Sequence, residues 1–294
     1  MKRILITGAN SYIGTSFESY MKQFGDQYQI DTIDMQDPSW REKSFSSYDV
    51  VFHVAGIAHS DSGKISKEKE TLYYAINTEL SVETAKKAKT DKVGQFIYMS
   101  SAIVYGNSGK IGKSKLITRE TIPSPANCYG DSKLQAEKGL LPLNDESYKV
   151  VCLRPPMIYG KGSRGNYPLL SKLAKKMPIF PFVKNERSML YIENLCEFIR
   201  LIIDNGEQGV FCPQNSTYSN TSEMVREIGK AHGKKIRLIK GFTWALKLLD
   251  LFTGLVNKAF GNLTYDFELS KYEKGNYQVV SLEDSILKTE GINE

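Results

Sequence analysis

Arg3-Ile4-Leu5-Ile6-Thr7-Gly8-Ala9-Asn10-Ser11-Tyr12-Ile13-Gly14 is the stretch that decides the fold. The run from Arg3 to Thr7 is short and apolar, the pattern of a strand buried on both faces. A glycine turn follows, and a helix is expected to continue to Phe24, before Gly25. A strand, a glycine turn and a helix form the setting in which a pyrophosphate lies against a helix N-terminus. Gly8, Asn10, Ser11, Tyr12, Ile13 and Gly14 are therefore candidate cofactor-binding residues. Ser11 stands where a middle glycine would allow the closest backbone approach. Serine can serve there if its φ is negative, and its hydroxyl can then meet a phosphate. A plain turn is the alternative.

Working outward, residues 28–33 read as a second strand that ends in Asp34. An acid about 20 residues after the glycine turn accepts hydrogen bonds from a ribose hydroxyl and repels an added phosphate. A turn aspartate is the plainer alternative, because Asp37-Pro38 follows. Residues 50–54 form another buried run closed by Ala55 and Gly56, whose small size leaves room for a cofactor. His53 lies inside this run and reads as packed, whereas His59 on the following loop is a candidate substrate contact. A long helix over 67–89 carries Asn77, placed to hold a water or a backbone group near the active centre. Residues 95–99 make the next strand, with Ser100 and Ser101 at its carboxyl end, where open α/β sheets place their chemistry. A long polar loop over 106–127 suits the substrate side. A helix from Tyr129 to Leu141 and a strand over 148–153 follow.

The alternation of strands and helices predicts an α/β fold with a doubly wound parallel sheet. Only a short segment separates Asp34 from Asp49, too little for the usual third strand and its helix. The pattern changes after Arg154-Pro155-Pro156-Met157-Ile158-Tyr159-Gly160. We expect a dinucleotide-binding domain over 1–160, with a helix over 192–205 packing back on it, and a mainly substrate-binding region over 161–294. Within the latter, 244–260 places Trp244, Leu248, Leu251, Phe252, Leu255 and Ala259 on one helical face. Core or dimer packing is the reading for that face, and peripheral membrane contact is its alternative. A homodimer is the expected assembly.

Tyr129 and Lys133 lie four apart on the expected helix and so share one face. A free phenol titrates near pH 10 and is a poor base at neutral pH, but an adjacent ammonium favours the phenolate. A hydroxyl from Ser101 can share the hydrogen bond to a substrate oxygen. The three form a device for moving a proton on or off an alcohol while hydride leaves or arrives. Taken alone, a tyrosine and lysine at this spacing are most often a solvated helix face. The upstream glycine turn is what gives the pair meaning.

The 294 residues, 41% hydrophobic and 24% charged, are enough for one large core or a main domain with a smaller one. The four cysteines make no Cys-x-x-Cys pair and have no neighbouring histidines, so no disulfide framework or metal site is expected, and a reducing cytoplasm fits. No apolar run reaches transmembrane length. The formal charge of +6 suits an anionic ligand, and equally an ordinary basic protein. Nucleic acid is not expected as a partner, because the lysines are scattered and no binding motif accompanies them.

Taken in order, Thr7-Gly8 through Gly14, His53-Val54-Ala55-Gly56, Asn77, Met99 through Gly106 and Tyr129-x-x-x-Lys133 resemble the extended short-chain dehydrogenase/reductases that act on nucleotide sugars, the NAD-dependent epimerase/dehydratase family. The resemblance covers essentially the whole chain. It implies a Rossmann-type sheet and a smaller C-terminal substrate-binding region. It further implies NAD as cofactor, with NADP as the alternative, and Pro156 beside it. Proton relay by Ser101, Tyr129 and Lys133 is implied as well, with Lys133 also holding the nicotinamide ribose. Asn166 and Arg187 match the asparagine and arginine with which family members bind the nucleotide diphosphate, and a planar guanidinium meets phosphate oxygens in pairs. Within the family, 154–160 and 178–181 look most like enzymes of capsule and O-antigen sugar synthesis. Those include 4-ketoreductases making UDP-linked 6-deoxy N-acetylhexosamines, and UDP-hexose 4-epimerases. Met157 stands where the hexose 4-epimerases usually have an asparagine.

Overall fold

A computed structural model describes residues 1–57, 65–242 and 255–292. Strand β1 (Lys2–Thr7) lies between β2 (Tyr28–Ile33) and β3 (Val50–His53), all parallel, with Ile4 opposite Val50 and Thr7 opposite His53. Adding β4 (Gln95–Met99), β6 (Lys149–Leu153) and β10 (Gly209–Phe211) gives a six-stranded sheet among the described residues, ordered β10-β6-β4-β3-β1-β2. The short elements β5 (Leu116–Ile117), β7 (Met157–Tyr159), β8 (Ile179–Pro181), β9 (Met189–Tyr191), β11 (Arg237–Ile239) and β12 (Thr264–Tyr265) pair as β5–β12, β7–β9 and β8–β11.

The strands are apolar throughout because both faces are covered, and side chains alternate between the two. Ile4, Ile6, Val50, Phe52, Ile97 and Val151 point into one core, with Phe17 of helix α1 (Tyr12–Met21). Leu5, Val51, Phe96, Tyr98 and Val150 point into the other. There they meet Ala85 and Ala88 of α3 (Leu80–Thr90) and Ala136 and Leu140 of α4 (Cys128–Leu140). The helix expected to return to the sheet is α6 (Ile192–Asp204), which packs against α1 and buries Leu195, Ile199 and Ile202 in the first core. Strand β10 has no counterpart among the expected strands. It is three residues long and begins at a glycine, so it carries no pattern of its own.

The sheet ends at β2, as the short segment after Asp34 predicts. In place of a further strand, a 3₁₀ turn (Pro38–Arg41), capped by Asp37 at Ser39 N, buries Trp40 against Phe45 beside the second core. Two helix readings need correction. Helix α1 stops at Met21, and a 3₁₀ turn carries the chain through Gly25 at φ +53°. The span 67–89 is α2 (Lys67–Tyr73), a π turn (Tyr74–Glu79) and α3. In the π turn the carbonyl of Asn77 accepts from Tyr98 Oη at 3.0 Å and Ser81 Oγ at 2.9 Å.

Helices α5 (Tyr167–Lys176), α7 (Thr221–Ala231), α8 (Leu255–Phe260), α9 (Phe267–Ser270) and α10 (Leu282–Glu290) complete the described chain. Of the amphipathic run 244–260, Trp244, Leu248, Leu251 and Phe252 lie outside the described residues. No helix among the described residues is long and apolar enough to cross a membrane.

Candidate active site

The glycine turn is built for close approach. Gly8 has φ +123°, and a Cβ there would lie 2.7 Å from the amide nitrogen of Ala55. Asn10 adopts a left-handed conformation, φ 61°, which asparagine tolerates better than most residues. Ser11 has φ −71°, meeting the condition for a serine at this place, and its Oγ accepts from Gly14 N at 3.1 Å. It is therefore the N-cap of α1, and a Cβ on Gly14 would sit 2.6 Å from that oxygen. Tyr12 and Ile13 open the first turn, where backbone amides and the positive end of the helix dipole favour a phosphate. Both pack by their side chains on the first core. Asp34 closes β2, and its Oδ1 accepts from Gln36 N at 2.9 Å. These residues fit a dinucleotide: the cradle is one that added Cβ atoms would fill.

Gly56 forms the floor next to it. A Cβ there would approach Asn77 Oδ1 at 3.0 Å and Lys133 Nζ at 3.2 Å. Asn77 is fully buried, accepting from Ile57 N at 2.9 Å and donating to Ile57 O at 3.2 Å. It also donates to Ser132 Oγ at 3.1 Å, which ties the π turn to α4. His53 is packed, with Thr7 Oγ1 at 2.7 Å and Ser81 Oγ at 3.0 Å on its two nitrogens. Burial and the charge of Lys133 push its pKa down to about 3. His59 lies outside the described residues.

Helix α4 starts where Asn127 caps Gly130 N at 2.8 Å, which places Tyr129 and Lys133 on successive turns. Ser101 follows β4, hydrogen-bonds Tyr129, and accepts from Ile103 N at 3.3 Å. Lys133 is buried. Its Nζ donates to Met99 O at 2.9 Å and lies 4.8 Å from the Tyr98 ring centroid. Burial lowers its pKa to about 8, and the nearby Glu137 carboxylate opposes the fall. The expectation that Lys133 depresses the Tyr129 pKa does not hold in this state of the chain. Burial pushes the Tyr129 phenol up to about 12, against the hydrogen bond from Ser101. The lysine spends its charge on a carbonyl and a ring face instead.

Ser101, Pro156, Met157, Asn166 and Arg187 line a single cavity of about 490 Å³. Asn166 sits at the start of α5. Arg187 is bracketed by backbone bridges to Ser219 and Leu263, and its Nη1 donates to Ala259 O at 3.1 Å. Burial lowers its pKa from the usual guanidinium value. Asn257, from α8, also lines the cavity, and its Oδ1 accepts from Ile111 N at 3.1 Å. Sequence reasoning placed this run in packing and missed its part in the cavity wall. Nothing in the run's apolar pattern marks the asparagine. The polar loop does reach the cavity, through Gly106, Asn107, Ser108 and Asn127.

The model of the NAD dependent epimerase/dehydratase family matches residues 4–211. UDP-glucose 4-epimerase of Vibrio cholerae is 29% identical over 312 aligned positions, covering 98% of this chain and 94% of that protein. The dTDP-4-dehydrorhamnose reductase of Bacillus anthracis, solved with NADP, superposes with a TM-score of 0.74 at 18% identity and covers 100% of both chains. The UDP-glucuronic acid 4-epimerase of Bacillus cereus, solved with NAD, gives 0.71 at 17% identity, with 99% and 98% covered. These two solved structures share the fold of the described chain.

Proposed function

On the footing that the chain belongs to the NAD dependent epimerase/dehydratase family, we propose that it is a nucleotide-sugar oxidoreductase that reduces the 4-keto group of a UDP-linked 6-deoxy-N-acetylhexosamine, in the synthesis of a surface polysaccharide. The observation that carries this reading is the Tyr129 phenol hydrogen-bonded to Ser101, a serine that lines one cavity with Met157, Asn166 and Arg187. Such a phenol is an acid in waiting, suited to protonate an oxygen on which negative charge develops. NADH, when bound, would supply a hydride for carbon 4. Ser101 orients the ketone oxygen, and Tyr129 gives it the proton. Lys133, beneath Gly56, grips the nicotinamide ribose, and solvent returns a proton to the Tyr129 phenolate. Asn166 and Arg187, which line the same cavity, hold the diphosphate. Met157 gives the cavity an apolar patch, which suits the methyl of a 6-deoxy sugar better than a hydroxymethyl. A sugar whose hydroxyl is buried there without a partner loses about 1–3 kcal/mol.

The second reading is 4-epimerisation of a UDP-hexose or UDP-N-acetylhexosamine, favoured by the end-to-end likeness to a UDP-glucose 4-epimerase. That reaction needs Tyr129 to take a proton as well as give one, and it must keep its cofactor and keto intermediate bound. The two are separated by offering a UDP-4-keto-6-deoxy-N-acetylhexosamine with stoichiometric NADH. UDP-glucose and UDP-N-acetylglucosamine are offered separately without reductant. Consumption of NADH with the keto-sugar alone is the expected result. Isomerisation of the hexoses by enzyme that retains NAD through purification overturns reduction in favour of epimerisation.

For the cofactor, Asp34 predicts NADH over NADPH. A 2′-phosphate at the end of β2 would meet its carboxylate, and Met35 and Gln36 bring no compensating cation. Repulsion at a few ångströms corresponds to a preference on the order of tenfold or more. Fluorescence titration with both reduced cofactors checks it. Equal or tighter NADPH binding would leave Asp34 as only the cap of the turn at Gln36.

A further inference from the structure

Beneath Ser101, Tyr129 and Lys133 lies a buried ion pair that the proposed chemistry does not use. Glu137 is 1% exposed and sits four residues after Lys133 on α4, so it lies on the same face one turn further along. Arg154, 9% exposed at the end of β6, donates from Nε to both carboxylate oxygens at 3.1 Å and from Nη2 to Oε2 at 2.5 Å. Ser100 Oγ donates to Oε1 of the same carboxylate. Arg154 Nη1 reaches Tyr105 Oη at 2.7 Å, with the guanidinium 5.1 Å from the ring centroid.

The pair thus joins three segments, and each carries part of the site. Ser101 follows Ser100, and Tyr105 closes the 3₁₀ turn that Ser101 caps. Lys133 precedes Glu137 by a turn, and Pro156 comes just after Arg154. Stability does not account for such an arrangement. The desolvation of two buried charges offsets most of their attraction, and well-packed apolar side chains of the same volume do as well or better. What an apolar pair would not supply is a fixed direction and a charge.

We propose that Glu137, clamped by Arg154 and Ser100, is a positioning residue that holds Ser101 and Lys133 in register and keeps a negative charge under the Lys133 ammonium. This rests on the roles given above to Ser101 and Lys133, but its first test does not. The ammonium is faced by the Met99 carbonyl and the Tyr98 ring of β4, by Gly56 and Asn77, and by His53 of β3. His53 is uncharged at neutral pH. Among the described residues, Glu137 is the carboxylate whose charge acts on Lys133.

The test follows the Lys133 signal against pH in protein labelled with ¹³C at the lysine Cε carbons, assigned by loss of the signal in Lys133→Met. Wild type is compared with Glu137→Gln and with Glu137→Gln/Arg154→Met, the second of which leaves no charge buried alone. Without the carboxylate the ammonium loses its opposing anion, so the midpoint falls by about one pH unit in Glu137→Gln, and by less in the double variant, which also loses the Arg154 cation. Turnover then fails on the alkaline side at a lower pH than in wild type, with KM for the nucleotide sugar little changed. A folded double variant whose Lys133 midpoint is unmoved overturns the proposal. If neither variant folds, the pair is scaffold alone and the proposal falls as well. A wild-type enzyme that turns over no nucleotide sugar would defeat the proposed function, while the titration would still decide this point.

Discussion

A Tyr129→Phe enzyme is expected to lose roughly 10²–10⁴-fold in turnover while still binding NADH. The change removes the phenolic oxygen that Ser101 contacts and keeps the ring, which packs 5.7 Å centroid to centroid from Tyr73. The loss therefore belongs to the proton and not to the fold. Steady-state kinetics on the keto-sugar would place the loss in kcat, and fluorescence titration would find cofactor affinity little changed. A variant retaining most of its turnover would show that another group delivers the proton, and the assignment of Tyr129 would be abandoned. Because the wild-type phenol keeps its proton to about 12, reduction should not fade at mildly alkaline pH through loss of this acid.

Arg154→Met carries the largest expected effect on stability. Removing the guanidinium leaves Glu137, 1% exposed, without its cation, and breaking one side of a buried ion pair costs about 3–5 kcal/mol. Urea denaturation should record this as a lower midpoint at unchanged slope. Adding Glu137→Gln neutralises the stranded carboxylate and is expected to recover a large part of the loss. A single variant within about 1 kcal/mol of wild type would mean that the pair is open enough to water to be screened.

The parts of the molecule written in local pattern were readable from the chain. The strand at β1, the glycine turn and the start of α1 follow from a short apolar run and the glycines at 8 and 14. The parallel sheet follows from repeated apolar runs too continuous for a one-sided sheet, and the pairing of Tyr129 with Lys133 follows from helical spacing. The end of the sheet at β2 was readable as a shortage of residues. Each of these rests on neighbours in sequence, where backbone sterics and side-chain period act directly.

Other features depend on residues far apart in the chain. The π turn at Asn77 is served by Tyr98, on another element, and by Ser81 one turn on. Strand β10 exists because β6 offers it an edge. Asn257 reaches the cavity only because α8 lies across Ile111 and Arg187. The charge states of the site are of the same kind. Sequence spacing placed an ammonium next to a phenol and so pointed to a lowered pKa. Burial set the lysine near 8, against the Glu137 charge, and the tyrosine near 12, against the Ser101 hydrogen bond. The chain by itself determined which groups stand on which element. Tertiary packing alone decided which of them meet, because desolvation and the choice of hydrogen-bond partner are properties of the packed interior and have no local signature in sequence.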